Sequence, residues 1–563
     1  MTNSGTSSEG PREGVLVASG PEPHHQARWW SNWAGNQRCR AVIARPTGEP
    51  ELRRLVAAAA TDGRTIKAVG AGHSFTDIAL SDGVLCDLSS YAQVLDVDHA
   101  ARTVTVQSGI TLHELSAFLW TRGLALSNLG DIDVQSVAGA TSTGTHGTGL
   151  RFGNLSTAIS EMRIIDGAGE VHECSATQEP DLFAAARVGL GALGLISTLT
   201  LQVEPAFHLQ AIEEPRLIDE VLESLPETFG SHDHFEFFWV PHTRWALTKS
   251  NRRTTEPVRP RSRRDTFVYD RLATNVLFGA VNRIGTWRPS LLPTLGKRLP
   301  SAGRVEYIDR SYRVFASPRD VRFVEMEYAV PLDATVDAVR AVRSIVNDLG
   351  YPISFPVEVR ATGADDIALS SASGRDTGYV AVHMYRDMPH EEYFGRVESV
   401  MRELGGRPHW GKLHRRTAAD LAPAYPRWAE FQALRDRMDP ARVFHNAYLD
   451  RVLGPCRQGM RSTASSAQAR PSTASATASR HSQPIDGVPS DQTYQSSSLI
   501  APPMSSGQSS STPASTAAHH QASKRPVAMP RRRPCAPPDA AAQAISAMAV
   551  PGPTGASRGT VPG

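Results

Sequence analysis

Three stretches rich in glycine and other small residues occur before Pro205, and they suit close contact between the backbone and a ligand. The first covers residues 69–75, VGAGHSF, and follows a predicted strand. Its glycines would let backbone N–H groups approach a phosphate, because no Cβ stands in the way. A tight structural turn fits this short pattern equally well. A Rossmann dinucleotide site does not fit, because the next glycine is Gly83 and the GxGxxG spacing is missing.

The second and third stretches carry more information than the first. They are SVAGATSTGTHGTG at residues 136–149 and GLGALGLI at residues 189–196. Such runs of Gly, Ala, Ser and Thr bury little apolar surface of their own, so something else has to fill the space beside them. A large flat ligand held against the backbone explains them best. The three stretches together predict one extended cofactor.

Ionisable residues with suitable spacing occur in the second half of the chain. Residues 355–360, FPVEVR, predict a strand whose alternating side chains put Glu358 and Arg360 on one face, about 7 Å apart. One ligand could contact both, although a surface ion pair, worth less than about 1 kcal/mol, would show the same spacing. His383 points away from Val380 and Val382 in another predicted strand. It either lines the same pocket or is an ordinary half-buried histidine.

The elements that position these residues indicate an α+β protein. Apolar spacing at helical or alternating period, with turn residues between, defines them. Helices are predicted from residue 49, at 112–121, and near 332–349 and 390–404; strands are predicted at 66–69, 84–88, 94–97, 104–107, 163–166, 171–173, 196–203, 235–240, 325–330, 357–360 and 379–385. Pro205 marks a domain boundary. Residues 249–264 are basic, contain proline and lack periodicity, so we expect a surface loop there.

Composition narrows the class of protein. A chain of 563 residues is long enough for two or three domains. Its net charge of +2, from 59 basic and 57 acidic side chains, gives no reason to expect a nucleic acid partner. The five cysteines lie far apart, which fits a reducing compartment and predicts no metal site. We expect a cytoplasmic protein whose contact with a membrane is at most peripheral, because no run of 18 apolar residues occurs.

Six motifs resemble those of a known family, the FAD-linked aldonolactone oxidoreductases of the vanillyl-alcohol oxidase fold class, and of its actinobacterial lactone dehydrogenases in particular. They follow one another in the expected order and span about residues 30–454. The motifs are VGAGHSFTDIA at 69–79, SVAGATSTGTHGTG at 136–149, GALGLIS at 191–197, FPVEVR at 355–360, RPHWGK at 407–412 and FHNAYL at 444–449.

The resemblance implies a fold and a domain organisation. The fold is α+β, with a two-subdomain FAD-binding domain at 26–205 and an α+β substrate or cap domain at 206–454. The last part of the cap domain, about 407–454, is expected to return to the flavin site. Residues 1–25 are expected to form a mobile arm. Residues 455–563 are rich in Ser, Ala, Pro, Thr and Gln, so we expect a disordered low-complexity tail.

The resemblance also implies which residues bind FAD. His73 lies where many members link a ring nitrogen covalently to the flavin 8α-methyl group; a neutral histidine packed at the turn, beside non-covalent FAD, is the alternative. His146 is expected to donate a hydrogen bond near the cofactor. The expected cofactor-binding residues are Val69, Gly70, Ala71, Gly72, His73, Ser74, Ser136, Val137, Gly139, Ala140, Thr143, Gly144, His146, Gly147, Gly194, Ile196, Lys412 and Tyr448.

The expected catalytic residues are Glu358, Arg360 and Lys412. By resemblance, Glu358 and Arg360 face the flavin and bind the substrate, and Glu358 could accept a proton. Lys412 would approach the flavin N1 and C2 carbonyl, where a cation stabilises the negative charge that develops as hydride reaches N5.

The expected reaction is oxidation of an aldonolactone, with L-gulono-1,4-lactone as the favoured substrate and oxygen, a cytochrome or a quinone as electron acceptor. An alditol oxidase acting on an open-chain polyol, a D-arabinono-1,4-lactone oxidase and a non-catalytic binding protein that keeps the flavin fold are the alternatives.

Overall fold

The computed structural model of the protein describes residues 26–262, 278–292, 294, 303–317 and 321–455. The predicted mobile arm at 1–25 and the predicted disordered tail beyond residue 455 lie outside the described residues. No helix in the described part of the chain is both long enough and apolar enough to span a bilayer.

The first half of the chain forms short strands joined by helices. Its strands are β1 Arg28–Ser31, β2 Arg38–Ala44, β3 Ile66–Val69, β4 Val84–Asp87, β5 Val94–Asp98, β6 Thr103–Gln107, β7 Leu124–Ala125, β8 Ile159–Ile165, β9 Val171–Ser175, β10 Leu195–Gln202 and β11 Glu204–Pro205. Its helices are Glu49–Thr61, Leu112–Thr121, Val137–Ser142 and Pro180–Ala186. A capping box at Thr111 and Glu114 explains why the second helix begins where it does.

These strands form two main sheets, as expected for a two-subdomain cofactor domain. The first has the order β1-β2-β4-β3, with parallel pairing of β4 to both β2 and β3. The second is antiparallel, with the order β5-β6-β10-β8-β9. The residues of β6 in the second sheet alternate in burial, since Val104 and Val106 are fully buried while Thr103 and Thr105, which alternate with them, are partly exposed.

The second half is built on one large sheet. Its strands are β12 His208–Leu217, β13 His234–Trp239, β14 Trp245–Thr254, β15 Val305–Arg310, β16 Phe323–Pro331, β17 Val357–Thr362, β18 Thr377–Tyr385 and β19 Arg407–Pro408, in the order β15-β12-β14-β13-β17-β18-β16-β19. Its helices are Ile218–Glu223, Leu225–Ser231, Phe278–Trp287, Ser311–Phe315, Thr335–Asp348, Glu391–Glu403, Ala418–Leu421, Trp428–Met438 and Ala447–Leu453.

The two faces of this sheet differ in chemistry. Helices Thr335–Asp348 and Glu391–Glu403 share one hydrophobic core with the apolar side chains of β13, β16, β17 and β18. Because side chains alternate along a strand, the residues between those apolar ones point to the opposite face. That face carries buried Glu, Arg and His together with half-buried Lys, and we call it the charged face.

The predicted surface loop at 249–264 is wrong for its first part. Residues up to Thr254 belong to β14, which pairs with β12 on one side and β13 on the other. The basic composition of this segment suggested a loop. In the structure, however, Lys249 is half-buried in a paired strand, opposite Glu236, which compensates its charge. Residues 263 and 264 lie outside the described residues. The other predicted elements occur with ends that differ by a few residues.

Candidate functional site

All three small-residue stretches line one cleft, which we call the glycine cleft. It lies where β3 ends, between that strand and the segment that enters β10. The expected cofactor-binding residues that line it are Val69, Gly70, Ala71, Gly72, His73, Ser74, Ser136, Gly139, Thr143, Gly194 and Ile196. Residues more than a hundred positions apart in the sequence therefore form a continuous wall of small side chains.

Close packing explains why glycine is needed in this wall. A Cβ on Gly70 would lie 2.2 Å from the Oγ of Ser136, so the first and second stretches could not approach each other. Gly194 has a φ of +153° and a Cβ there would lie 2.5 Å from the carbonyl oxygen of Ile165. These glycines bring backbone segments together around the cleft.

The turn after β3 has donors that suit an anion. The backbone N–H groups of residues 71–74 donate to no acceptor in the described part of the chain. Successive amides of this kind form a nest for phosphate-like groups. The glycine cleft therefore fits a long ligand that carries a diphosphate.

Lys67 is a cleft residue that the sequence-based prediction missed. Its buried ammonium donates to the carbonyl oxygens of Gly191 at 3.1 Å and Phe444 at 3.2 Å. Burial lowers the pKa of Lys67 to about 7. A lysine in the strand IKAV looks like an ordinary strand residue, so no local signal indicated this role.

Seven other expected cofactor-binding residues do not line the glycine cleft. One of them, Lys412, lies over the charged face and is described below. Val137 and Ala140 are buried in the hydrophobic core behind it. Gly144 adopts a φ of +72°, and a Cβ on Gly147 would lie 2.3 Å from the Leu129 carbonyl oxygen. The remaining two are the side chains of His146 and Tyr448. The Tyr448 hydroxyl is buried and donates to the carbonyl oxygen of Trp410 at 2.8 Å.

His73 lies at the rim of the glycine cleft, towards the charged face. Its ring stacks on Trp33 with centroids 5.0 Å apart and an interplanar angle of 22°. Burial, together with the positive charge of Lys412, lowers the pKa of His73 to about 4. The imidazole is therefore neutral at pH 7 and keeps a nitrogen lone pair.

Lys412 lies over the charged face, between two glutamates that the prediction missed. Its ammonium contacts the carboxylate of Glu325 and lies 3.9 Å from Glu327. Burial alone would lower the pKa of Lys412, but the two carboxylates outweigh burial and raise it. The backbone fixes the lysine segment beside the cleft, because the Phe75 N–H donates to the Gly411 carbonyl oxygen at 2.7 Å.

Glu325 also contacts His383, which places that histidine on the charged face. The His383 Nε2 lies 3.3 Å from Glu325 Oε1, and its Nδ1 lies 3.0 Å from the Pro356 carbonyl oxygen. Burial would lower the pKa of His383, but the carboxylate beside it raises the pKa overall. The alternation of glutamate with apolar residues in VEMEYAV, the same pattern as in FPVEVR, was a signal that could have identified Glu325 and Glu327.

Glu358 and Arg360 are both buried on the charged face, as neighbours. The Arg360 Nε lies 2.6 Å from Glu358 Oε1 and donates a hydrogen bond to Glu236 Oε2 at 2.7 Å. Burial raises the pKa of the Glu358 carboxyl, although the Arg360 charge opposes this. The alternative of an exposed surface ion pair is therefore wrong.

A buried group of His146, Glu327 and His409 has ligand atoms within 4.8 Å of one another, so it could hold a metal ion. The possible ligand atoms of these three residues, however, take part in hydrogen bonds within the protein. The Glu327 carboxylate lies 2.8 Å from His146 Nε2, while His146 Nδ1 donates to the Gly147 carbonyl oxygen. The Gly411 N–H donates to His409 Nδ1, so the proton of this ring is on Nε2 and neither nitrogen is free to bind a metal.

Two family models match the chain in the same order as the two halves of the fold. The first, described as "FAD binding domain", matches residues 40–175. The second, described as "D-arabinono-1,4-lactone oxidase", matches residues 199–452. Neither match reaches the residues beyond 455.

Similar proteins of known name cover the same part of the chain. An L-gulono-1,4-lactone dehydrogenase of Mycobacterium tuberculosis is 46% identical, over 76% of this chain and 99% of its own length. An L-gulonolactone oxidase of Bos taurus is 34% identical, over 75% of this chain and 98% of its own length. The crystal structure of cholesterol oxidase from B. sterolicum shares the fold with a TM-score of 0.66 at 17% identity, over 78% of this chain and all of that one. The chain therefore belongs to the FAD-linked aldonolactone oxidoreductases, with FAD as its cofactor.

Proposed function

We propose that the protein oxidises a hydroxyl-bearing ring carbon of a small aldonolactone, with L-gulono-1,4-lactone as the favoured substrate. One observation carries the proposal: Glu358, Arg360, His383 and Lys412 gather on one buried face beside the rim of the glycine cleft. The names of the similar proteins support the lactone as substrate.

The glycine cleft would hold FAD. The free amides of residues 71–74 suit its diphosphate, and the small residues at 136, 139 and 143 leave room for a flat ring system. When bound, FAD supplies the acceptor for the hydride that leaves the substrate carbon.

Arg360 would bind the lactone. Its guanidinium is buried and therefore interacts strongly with an oxygen acceptor, because little water competes. Glu358, next to it, would accept the proton of the substrate hydroxyl as the C–H bond gives up hydride. Lys412 would stabilise the negative charge that develops on the acceptor side.

The acid–base role of Glu358 has a pH signature. A general base works when it is deprotonated, so kcat/KM should rise with pH through the raised pKa of Glu358. In Glu358→Gln this acid limb should disappear and the remaining rate should be at least about 100-fold lower. A variant that keeps both the rate and the acid limb would exclude Glu358 as the base.

Substrate class is tested with the purified chain and a dye as electron acceptor. L-Gulono-1,4-lactone and D-arabinono-1,4-lactone should bleach the flavin and reduce the dye, whereas xylitol should be much slower. Faster oxidation of xylitol would identify an alditol oxidase. Absence of bleaching by every lactone and polyol would favour a non-catalytic binding protein.

The natural acceptor and the location belong to the same proposal. Oxygen, a cytochrome and a quinone are the three acceptors to compare, by following oxygen uptake and reduction of each added acceptor. We expect the protein in the cytoplasm with at most peripheral membrane contact, and fractionation of cell extracts with a salt wash of the membranes checks this.

A further inference from the structure

We propose, on the basis of the function proposed above, that Glu236 is a positioning residue that orients Arg360 towards the bound substrate, with Lys249 as its second counter-charge. Glu236 lies on β13 and is separated from FPVEVR by more than a hundred residues of sequence. None of the family motifs contains it.

Strand register brings the three residues into a row. Phe238 pairs with Glu358 and Phe237 with Val359 in an antiparallel register, so the next position puts Glu236 opposite Arg360. On the other side, Glu236 pairs directly with Lys249 of β14. Charges therefore alternate across β14, β13 and β17, which suits cross-strand attraction.

The two carboxylate oxygens of Glu236 have separate partners. Oε2 accepts the hydrogen bond from Arg360 Nε at 2.7 Å, and Oε1 lies 3.5 Å from Lys249 Nζ. Lys249 is itself anchored, because its ammonium donates to the Val314 carbonyl oxygen at 2.8 Å. Glu236 is only 5% exposed and both of its oxygens are in use, so it acts through Arg360 rather than on the substrate.

The hydrogen bond at Nε decides which atoms of Arg360 are available. A guanidinium is planar and rigid, so holding its Nε fixes the directions of both terminal nitrogens. Neither Nη1 nor Nη2 donates a hydrogen bond to any residue that the structure describes. These two donors suit the paired oxygens of a lactone group. A side chain that can rotate freely would bind the same group less tightly.

Glu236→Gln tests the proposal in the FAD-loaded full chain, with L-gulono-1,4-lactone as substrate and a dye as acceptor. We expect KM to rise about tenfold while kcat changes less than threefold, because orientation of Arg360 acts on binding. In an Arg360→Met background, the same substitution should change KM less than twofold, because the group that Glu236 positions is gone. Flavin content and melting temperature are measured in each variant.

The matched control is Glu213→Gln. Glu213 lies on the same face, opposite Lys249 on β12, and is paired with Arg261 instead of Arg360. Its substitution removes a half-buried carboxylate from the same sheet and should leave KM unchanged. Where Glu236→Gln fails to fold, Glu236→Asp keeps the charge and withdraws the carboxylate by one methylene, and it should raise KM less than Glu236→Gln.

The outcomes separate this proposal from the function on which it rests. A wild-type KM in Arg360→Met, or no turnover of the lactone by the wild-type chain, would overturn the proposed function and this proposal with it. An impaired Arg360→Met together with a wild-type KM in Glu236→Gln and Glu236→Asp would overturn the positioning role alone. Equal effects of Glu236→Gln with and without Arg360 would also overturn it.

Discussion

The glycine cleft and the charged face lie in different halves of the same chain and are built in opposite ways. The cleft is a wall of backbone and small side chains, and its donors are the amides of residues 71–74. The charged face is a set of long ionisable side chains, each held by a partner of opposite charge. The cleft suits a ligand of fixed shape, and the charged face suits a reaction in which charge moves.

Because of this difference, the glycine cleft and the charged face should be sensitive to different kinds of mutation. The cleft wall has no room for an added atom at Gly70 or Gly194, because its segments already touch there. The charged face tolerates no unpaired charge, because burial makes a lone carboxylate or ammonium costly. Substitutions that add volume should therefore damage cofactor binding, and substitutions that remove charge should damage turnover.

Lys412→Met should have the largest effect and tests the second half of this contrast. Removing the ammonium should lower kcat about 1,000-fold, as for loss of a group that stabilises developing charge. Flavin content should remain within twofold of wild type, because Lys412 does not line the glycine cleft. Lys412→Arg keeps the charge and should recover part of the rate. A kcat within threefold of wild type in Lys412→Met would contradict the role.

Gly70→Ala tests the first half. The added Cβ would lie 2.2 Å from Ser136 Oγ, and overpacking of this kind costs about 1–3 kcal/mol, so FAD affinity should fall about 10- to 100-fold. Gly230→Ala is the matched control, since a Cβ there meets nothing within 4 Å. The ratio of flavin to protein absorbance measures the effect, and adding Ser136→Gly should restore it. Normal FAD content in Gly70→Ala would show that the wall is less tight than the distances indicate.

His73→Ala tests whether FAD is bound covalently through His73, at the rim of the cleft beside the charged face. The neutral ring at the cleft rim keeps a nucleophilic lone pair, so we expect yellow fluorescence in the acid-precipitated wild-type protein and none in the variant. His113→Ala, at a largely exposed histidine, should leave the fluorescence in the pellet. Equal fluorescence in wild type and His73→Ala would exclude the bond through His73.

Lys67→Met should have the smallest effect of these substitutions. The effect is seen only in how the stability of the protein depends on pH. Because burial lowers the pKa of Lys67 to about 7, the unfolded chain binds the extra proton above that pH, and folding of the wild type becomes more favourable as pH rises from 7 towards 10.5. The melting temperature of the wild type, relative to that of the variant, should therefore increase by on the order of 2 °C between pH 7 and 9. A difference that is constant with pH would mean that Lys67 stays charged throughout.

The sequence predicted features correctly where the residues that form them are continuous in the chain. Residues 69–75, 136–149 and 189–196 predicted one cofactor from small-residue composition alone, and all three contribute to one cleft. The family, the α+β fold and FAD were confirmed by the comparisons. Alternation within FPVEVR predicted correctly that Glu358 and Arg360 share a face, because side-chain direction in a strand depends only on local spacing.

The sequence did not indicate which residues form charge pairs, even where alternation, as in VEMEYAV, indicated that a glutamate faces one side of a strand. Glu325 and Glu327 become relevant through Lys412, which lies more than eighty positions later. Glu236 and Lys249 become relevant through Arg360, and without that partner residues 249–254 looked like a basic loop. Lys67 gave no signal because its acceptors are carbonyl oxygens near residues 191 and 444.

The sequence by itself determined the composition of the cleft wall and the alternating side-chain directions along the strands, since both are properties of neighbouring residues. Only the tertiary structure determined which charged side chains form pairs. Strand order and register place Glu236 between Lys249 and Arg360. Backbone hydrogen bonds from residues 409 and 413 to β16 place Lys412 beside Glu325 and Glu327. Those pairings depend on contacts between distant segments, and the energy of a buried charge depends on the partner that folding brings to it.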